Sequence, residues 1–302
     1  MNDKDKPFKH IVIVGCGDIG QRVAKIWKNQ GKSVFGLARS EDSLNTLRQQ
    51  HIHAVSADLD NAESLSDLDA RLTKESLLYY FAPPPAKGVK DTRMHNFLKN
   101  MANKNLPAQF VYISTSGVYG DQQGQLINEQ TPVNPQVDRA KRRYHAEQQL
   151  QKWAKKHGVA LTILRVGGIY GPGRLPLQRL KDEIPMLHEN LAPLTNRIHA
   201  DDLAQVCVAA ANKKAAGQIY NVSDGSDSNM TEYFNTIADA CGLKRPPLVD
   251  WDEAEKTISK GMLSYLKESR KMDNSKMMNE LDIELIYPTL KDGLDVICKT
   301  SS

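Results

Sequence analysis

Residues 11 to 20 read Ile-Val-Ile-Val-Gly-Cys-Gly-Asp-Ile-Gly, a short apolar run that empties into G-x-G-x-x-G at Gly15, Gly17 and Gly20. The next residues, Gln21-Arg22-Val23-Ala24-Lys25-Ile26-Trp27, place their apolar side chains at helical spacing. Alone, such a glycine pattern is only a flexible turn. Between a strand and a helix it predicts a site for a dinucleotide. Gly15 permits the sharp turn. Gly17, lacking a Cβ, lets a pyrophosphate approach the backbone, and Gly20 lets the helix pack close to the strand. The first helical amides then point at the phosphates with the helix dipole behind them, and Asp18 and Ile19, between the glycines, join the expected cofactor set.

The length of 302 residues allows a sizeable core and about two domains. Forty basic against thirty-six acidic residues leave a net charge of +4, too mild to imply a nucleic-acid or membrane partner. The N-terminus, Met-Asn-Asp-Lys-Asp-Lys-Pro, is polar and lacks a signal-peptide core. No apolar run approaches the ~20 residues of a membrane helix. Cys16, Cys207, Cys241 and Cys298 are scattered without a C-x-x-C pair. They read as free thiols in a reducing cytoplasm, Cys16 being a small filler in the glycine loop. The expected partner is a small-molecule substrate, and a homodimer is the assembly considered.

Apolar runs at His10–Val14, Ser33–Leu37, His53–Ala57, Ser76–Phe81, Gln109–Ser114 and Ala160–Val166 predict strands. Between them Gln21–Gln30, Glu41–Gln50, Ala62–Leu72, Asp91–Asn103 and Asp138–His157 read as helices. This alternation predicts an α/β fold, a doubly wound parallel sheet with helices on both faces. Pro83-Pro84-Pro85 turns the chain sharply after Phe81. The rhythm breaks at Gly171-Pro172-Gly173, and one more helix and strand follow at Asp202–Asn212 and Gln218–Val222. The expected division is a dinucleotide-binding domain of residues 1–172 and 197–224. A smaller, discontinuous substrate lobe takes residues 173–196 and 225–302.

Cofactor choice can be argued locally. NAD-specific folds end the second strand with an acidic residue that bonds the ribose hydroxyls. Here that strand ends Phe35-Gly36-Leu37-Ala38-Arg39-Ser40, with no carboxylate at Leu37 or Ala38. An Arg39 fork beside the Ser40 hydroxyl suits a 2′-phosphate, so NADP is expected over NAD. The plainer alternative is a solvated arginine opening the next helix. Asp58 either bonds the adenine amino group or caps the helix that follows it. Ala82 and Pro83, after the fourth strand, complete the expected cofactor set. No three residues at ligand spacing suggest a metal.

Four ordered motifs carry a family resemblance. Ile113-Ser114-Thr115-Ser116-Gly117-Val118-Tyr119-Gly120 resembles the active-site strand of the extended short-chain dehydrogenase/reductase superfamily, the NAD-dependent epimerase/dehydratase group. Leu164-Arg165-Val166-Gly167-Gly168-Ile169-Tyr170-Gly171-Pro172-Gly173 resembles that group's signature after its sixth strand. Ile198-His199-Ala200-Asp201-Asp202-Leu203-Ala204, then Tyr220-Asn221-Val222, resemble its later signatures. The glycine loop departs from the group's usual T-G-x-x-G-x-x-G, which points to an atypical branch.

The catalytic motif departs further. The group pairs a Tyr with a Lys four residues on, one helical face presenting both. The Lys lowers the Tyr pKa and holds the ribose, while a Ser or Thr, here Thr115, polarises the same substrate oxygen. The helix reads Asp138-Arg139-Ala140-Lys141-Arg142-Arg143-Tyr144-His145-Ala146-Glu147. Matching the group's Glu to Glu147 puts Arg143 at the Lys position and Arg139 at the Tyr position. Arg143 can still neutralise charge and bond ribose. Arg139 cannot exchange a proton, because guanidinium stays protonated above about pH 12. The alternative register begins at Tyr144 but places Gln148 where a charge is needed. The basic run also reads as a solvated face, with Arg143–Glu147 support at i,i+4. Nucleotide-sugar members commonly carry an Arg four residues before the signature His; Thr195 stands there, with Arg197 two residues before His199. His199 and Asp201 read as structural. Arg174 and Arg179 line the cleft between lobes or lie on ordinary surface. Two functions remain: an NADP-dependent oxidoreductase or epimerase of unknown substrate with altered proton chemistry, or an NADP(H)-sensing binding protein that has lost its dyad.

Overall fold

The computed structural model describes residues 8–65, 72–101, 105–212 and 217–299. Its seven-stranded central sheet contains β1 (His10–Val14), β2 (Ser33–Ala38), β3 (His53–Ser56), β4 (Ser76–Tyr80), β5 (Gln109–Thr115), β6 (Ala160–Val166) and β7 (Gln218–Val222). All neighbours run parallel, in the order β3-β2-β1-β4-β5-β6-β7. The helices are α1 (Asp18–Asn29), α2 (Glu41–Gln49), α3 (Thr92–Met101), α4 (Asp138–His157), α5 (Leu177–Lys181), α6 (Ala200–Asn212), α7 (Met230–Ala240), α8 (Trp251–Thr257), α9 (Lys260–Leu266), α10 (Ser275–Leu281) and α11 (Leu290–Lys299).

A parallel sheet must bury both faces, so its strands are apolar at successive positions rather than alternate ones. The period of two then deals their side chains to opposite sides. Ile11, Ile13, Leu77, Tyr79, Val111, Ile113, Leu164 and Val166 share a core with α1, α2 and α6. Val12, Val14, Leu78, Tyr80, Phe110, Tyr112, Leu161 and Ile163 share the other with α3 and α4. Each such side chain, fully buried, contributes about 1.5–3 kcal/mol. The strand order reverses between β1 and β4, so the loops leaving these strands diverge and open a crevice at their C-terminal ends.

Element positions follow the sequence reading closely, with one informative shift. α1 begins at Asp18 rather than Gln21, because Gly17 is its N-cap and the second half of the glycine motif is already helical. The helix expected over Ala62–Leu72 falls largely on residues 66–71, outside the described residues.

A third core joins Leu180, Met186, Leu187, Tyr233, Phe234, Ile237, Ala254, Leu263, Leu266 and Leu294. α7 opens it with a capping box: Asn229 accepts from the Glu232 amide and Glu232 accepts from the Asn229 amide, each at 2.8 Å. Such a cap contributes about 1 kcal/mol. Two features depart from expectation here. Cys241 and Cys298 form a disulfide across 57 residues of sequence, joining the ends of α7 and α11; only Cys16 and Cys207 are free. The pairing is a product of packing α11 on α7 and leaves no mark in the spacing. Within the stretch assigned to the smaller lobe, α10 instead returns to the sheet, burying Met277 and Leu281 in the α1/α6-side core.

Candidate functional site at the strand ends

The glycine loop is built as a cradle. Gly15 has φ +78°, and a Cβ there would lie 2.5 Å from the Ala82 amide nitrogen and 2.6 Å from its Cα. The turn after β1 thus rests directly on the backbone leaving β4. A Cβ on Gly17 would meet nothing within 4 Å. That open space lies at the start of α1, whose N-cap supplies no side-chain hydrogen bond to the first amides. Gly20 would place a Cβ 3.1 Å from Ile13 and 3.3 Å from the Cys16 sulfur. Burial pushes the Cys16 thiol up to about 12, so this cysteine is a protonated filler.

Beside the loop is a cavity of about 200 Å³ lined by Gly15, Leu37, Arg39, Asp58, Ala82, Pro83 and Arg93, among others. Arg39 is 68% exposed at its rim, 4.0 Å from Asp60. Ser40 caps α2, accepting from the Ser43 amide at 3.3 Å. Arg93 reaches in from α3, bonding both oxygens of Asp60 at 2.8 and 2.6 Å and the Pro83 carbonyl at 3.1 Å. The Arg93 hydrogen bonds hold the Asp60 carboxyl below its ordinary range, with the Arg93 and Arg39 charges adding and burial opposing. One Asp58 oxygen accepts from the Asp60 amide at 3.0 Å, so Asp58 shapes this loop while also lining the cavity. Sequence reading missed Arg93 and Asp60, which come together from separate elements.

Thr115 ends β5 and caps the short 3-10 turn Ser116–Tyr119, its Oγ1 accepting from the Gly117 amide at 3.2 Å. A Cβ on Gly117 would sit 3.5 Å from that of Ala140, which places α4 against this turn. From α4, Arg143 donates to the carbonyl of Ile113 at 3.0 Å, and to the carbonyl of Ala82 and the hydroxyl of Tyr112 at 3.4 Å. Its guanidinium therefore lies at the ends of β4 and β5. Burial pushes the Tyr112 phenol up to about 12 despite this neighbour. Arg139 goes elsewhere. It donates to Ser264 Oγ at 2.5 Å and lies 3.6 Å over the Tyr265 ring, both on α9. One turn earlier on α4, it meets the C-terminal segment instead of the strand ends. Tyr144, like Val133, packs against the cluster of Val118, Tyr119, Ile127 and Met272.

Beneath Thr115 runs a buried ionic network. Glu147 accepts from Ser114 Oγ at 2.5 Å and from Arg165 Nε and Nη2 at 3.2 and 2.7 Å. The Arg165 and Glu147 side chains are 5% and 1% exposed. Arg165 lies 4.8 Å over the Tyr119 ring, and Tyr119 donates to Asn221 at 2.7 Å. The network ties the ends of β5, β6 and β7 to α4.

The remaining residues singled out from sequence are distributed around this core. His199 is 2% exposed between Tyr170 and Tyr287, accepting from the Asp201 amide at 3.2 Å. Burial, first of all, holds its imidazole below the ordinary range. Arg197 is buried with its guanidinium 3.4 Å over the Tyr233 ring, and Arg179 lies over Phe234 at 5.5 Å. Arg174 bonds Asp18 in the glycine loop. No group of three metal-ligating side chains is found among the described residues, and no described helix is long and apolar enough to cross a membrane.

Glycine cradle, strand-end threonine and later signatures converge with the comparisons. The family model for the NAD dependent epimerase/dehydratase family matches residues 11–223, and the chain belongs to that family. Protein YeeZ of Escherichia coli K12 is 24% identical over 293 residues, 93% of this chain and 97% of that protein. A functionally unknown conserved protein from Silicibacter pomeroyi has a structure matching with TM-score 0.80 at 26% identity, covering 97% of this chain and 99% of that one. The dTDP-glucose 4,6-dehydratase of Bacillus anthracis, solved with NAD, matches with TM-score 0.76 at 17% identity over 96% and 95% of the two chains.

Proposed function

We propose that the chain is an NADP(H)-dependent oxidoreductase or epimerase of a small molecule, working without the family's Tyr-Lys dyad. The carrying observation is the cavity beside the glycine loop. Two arginines, Arg39 and Arg93, stand at it, and the strand before Arg39 ends without a carboxylate. Bound NADP(H) would supply hydride exchange. Gly15, Gly17, Asp18, Ile19 and Gly20 would hold its pyrophosphate, and Arg39, Ser40, Asp58, Ala82 and Pro83 its adenosine end. Arg143, charged at every accessible pH, would hold the ribose and stabilise developing negative charge at the ends of β4 and β5. Thr115 would donate its hydroxyl proton in a hydrogen bond to the substrate oxygen, since its Oγ1 lone pair already serves Gly117. Tyr119 is engaged by Asn221, while Tyr144 is only partly buried and packs through its ring, so proton exchange falls to water or to the Tyr144 hydroxyl. The cytoplasm is the proposed location. The engagement of Arg139 by α9 favours a second reading, a dinucleotide-responsive binding protein, in which titration finds affinity but no substrate turns over.

Fluorescence titration with NADPH and NADH tests the cofactor reading. A charge-assisted phosphate contact contributes about 1.5–3 kcal/mol, so NADPH should bind about tenfold or more tightly. Arg39→Ala should narrow that preference and leave NADH affinity nearly unchanged. Tighter NADH binding by the unmodified chain would reject the NADP assignment.

A further inference from the structure

We propose that Arg174 is a pyrophosphate ligand, carried on the loop between Tyr170 and α5 and pre-positioned by Asp18. The proposal rests on the dinucleotide reading above. Arg174 Nε lies 2.5 Å from Asp18 Oδ2 although the two are 156 residues apart in sequence. The loop that carries it turns on Gly171 (φ +146°) and Gly173 (φ +73°), and the Arg174 amide bonds the Gly171 carbonyl at 3.0 Å. Asp18 is the first residue of α1, one residue past the open space at Gly17.

A bare carboxylate there would repel a bound dianion. Asp18 is not bare: its other oxygen takes Arg22 Nε at 2.8 Å, and Arg22 also bonds Asp201. Burial opposes ionisation of Asp18, but the hydrogen bonds from Arg174 and Arg22 outweigh it and hold the carboxyl below its ordinary range. Asp18 engages Arg174 through Nε, and neither Nη of Arg174 has a hydrogen bond among the described residues. The tethered guanidinium thus keeps its fork for another anion. The Arg174 and Asp18 side chains are 33% and 39% exposed, and ion pairs so placed add little to stability.

The experiment titrates the full chain, Arg174→Ala and Arg174→Lys with NADPH, and with 2′-AMP, which carries the adenosine end but no pyrophosphate. Arg174→Ala should raise the NADPH dissociation constant about tenfold, weaken its salt dependence, and leave 2′-AMP binding unchanged. Arg174→Lys should recover part of the loss. Equal NADPH affinity in Arg174→Ala, or parallel loss of both ligands, overturns the role of Arg174 alone. An unmodified chain that binds neither NADPH nor NADH overturns the cofactor reading, and this proposal with it.

Discussion

Gly17→Val should fold as the parent chain does and bind neither NADPH nor NADH. The added Cβ enters space that is empty within 4 Å, so the free protein meets it with open room rather than a packed neighbour. A bound pyrophosphate would need the same space. The neighbouring change makes the contrast. Gly15→Ala forces an L-residue to φ +78° and drives its Cβ into the Ala82 backbone. Left-handed strain costs about 1–3 kcal/mol, and overpacking against an immobile neighbour adds about 1–3 kcal/mol. Thermal melts should therefore separate the two: an unchanged midpoint for Gly17→Val and a marked fall for Gly15→Ala. A folded Gly17→Val protein with full dinucleotide affinity would reduce the loop to a turn.

Glu147→Ala should be among the most damaging single substitutions, costing about 3–5 kcal/mol. It leaves the Arg165 guanidinium, 5% exposed, without its carboxylate, and strips Ser114 Oγ of its acceptor. Glu147→Gln keeps an acceptor for Ser114 and should lose less. Urea unfolding monitored by fluorescence measures both. A cost below about 1 kcal/mol for Glu147→Ala would place the pair among solvated surface bridges. Ser114 precedes Thr115 in β5, so the damage should also reach any turnover that depends on the Thr115 hydroxyl.

Local patterns were legible in the sequence and long-range pairings were not. The strands could be read because both faces of a parallel sheet demand unbroken apolar runs. The glycine motif could be read because its turn is local. Counting back from Glu147 assigns Arg143 and Arg139 to one helical face directed at the strand ends, and the Arg143 guanidinium does contact the Ala82 and Ile113 carbonyls there. The same counting directs Arg139 to the nicotinamide side beside Thr115, whereas its guanidinium bonds Ser264: helical phase fixes an angle, but α9, which receives the guanidinium, lies more than a hundred residues downstream. Arg93–Asp60, Arg174–Asp18 and Cys241–Cys298 share that character. Each is made by two elements packed together in the fold, and neither partner carries a local signature of the other.

The return of α10 to the sheet bears on the order in which this chain can fold during synthesis. Met277 and Leu281 are 0% and 1% exposed within the core that α1 and α6 complete. Tyr220, at the last strand, donates to Glu280 at 2.9 Å, and Asp202 at the start of α6 accepts the Ile286 and Tyr287 amides at 2.7 and 3.0 Å. When β7 leaves the ribosome, the strands, α1 and α6 are all present, but the part of their core that Met277 and Leu281 cover is still open to water. Only after roughly sixty further residues, a few seconds at about 5–20 residues per second, can α10 and the segment behind it close that part. Until then that edge of the core keeps apolar surface in contact with water.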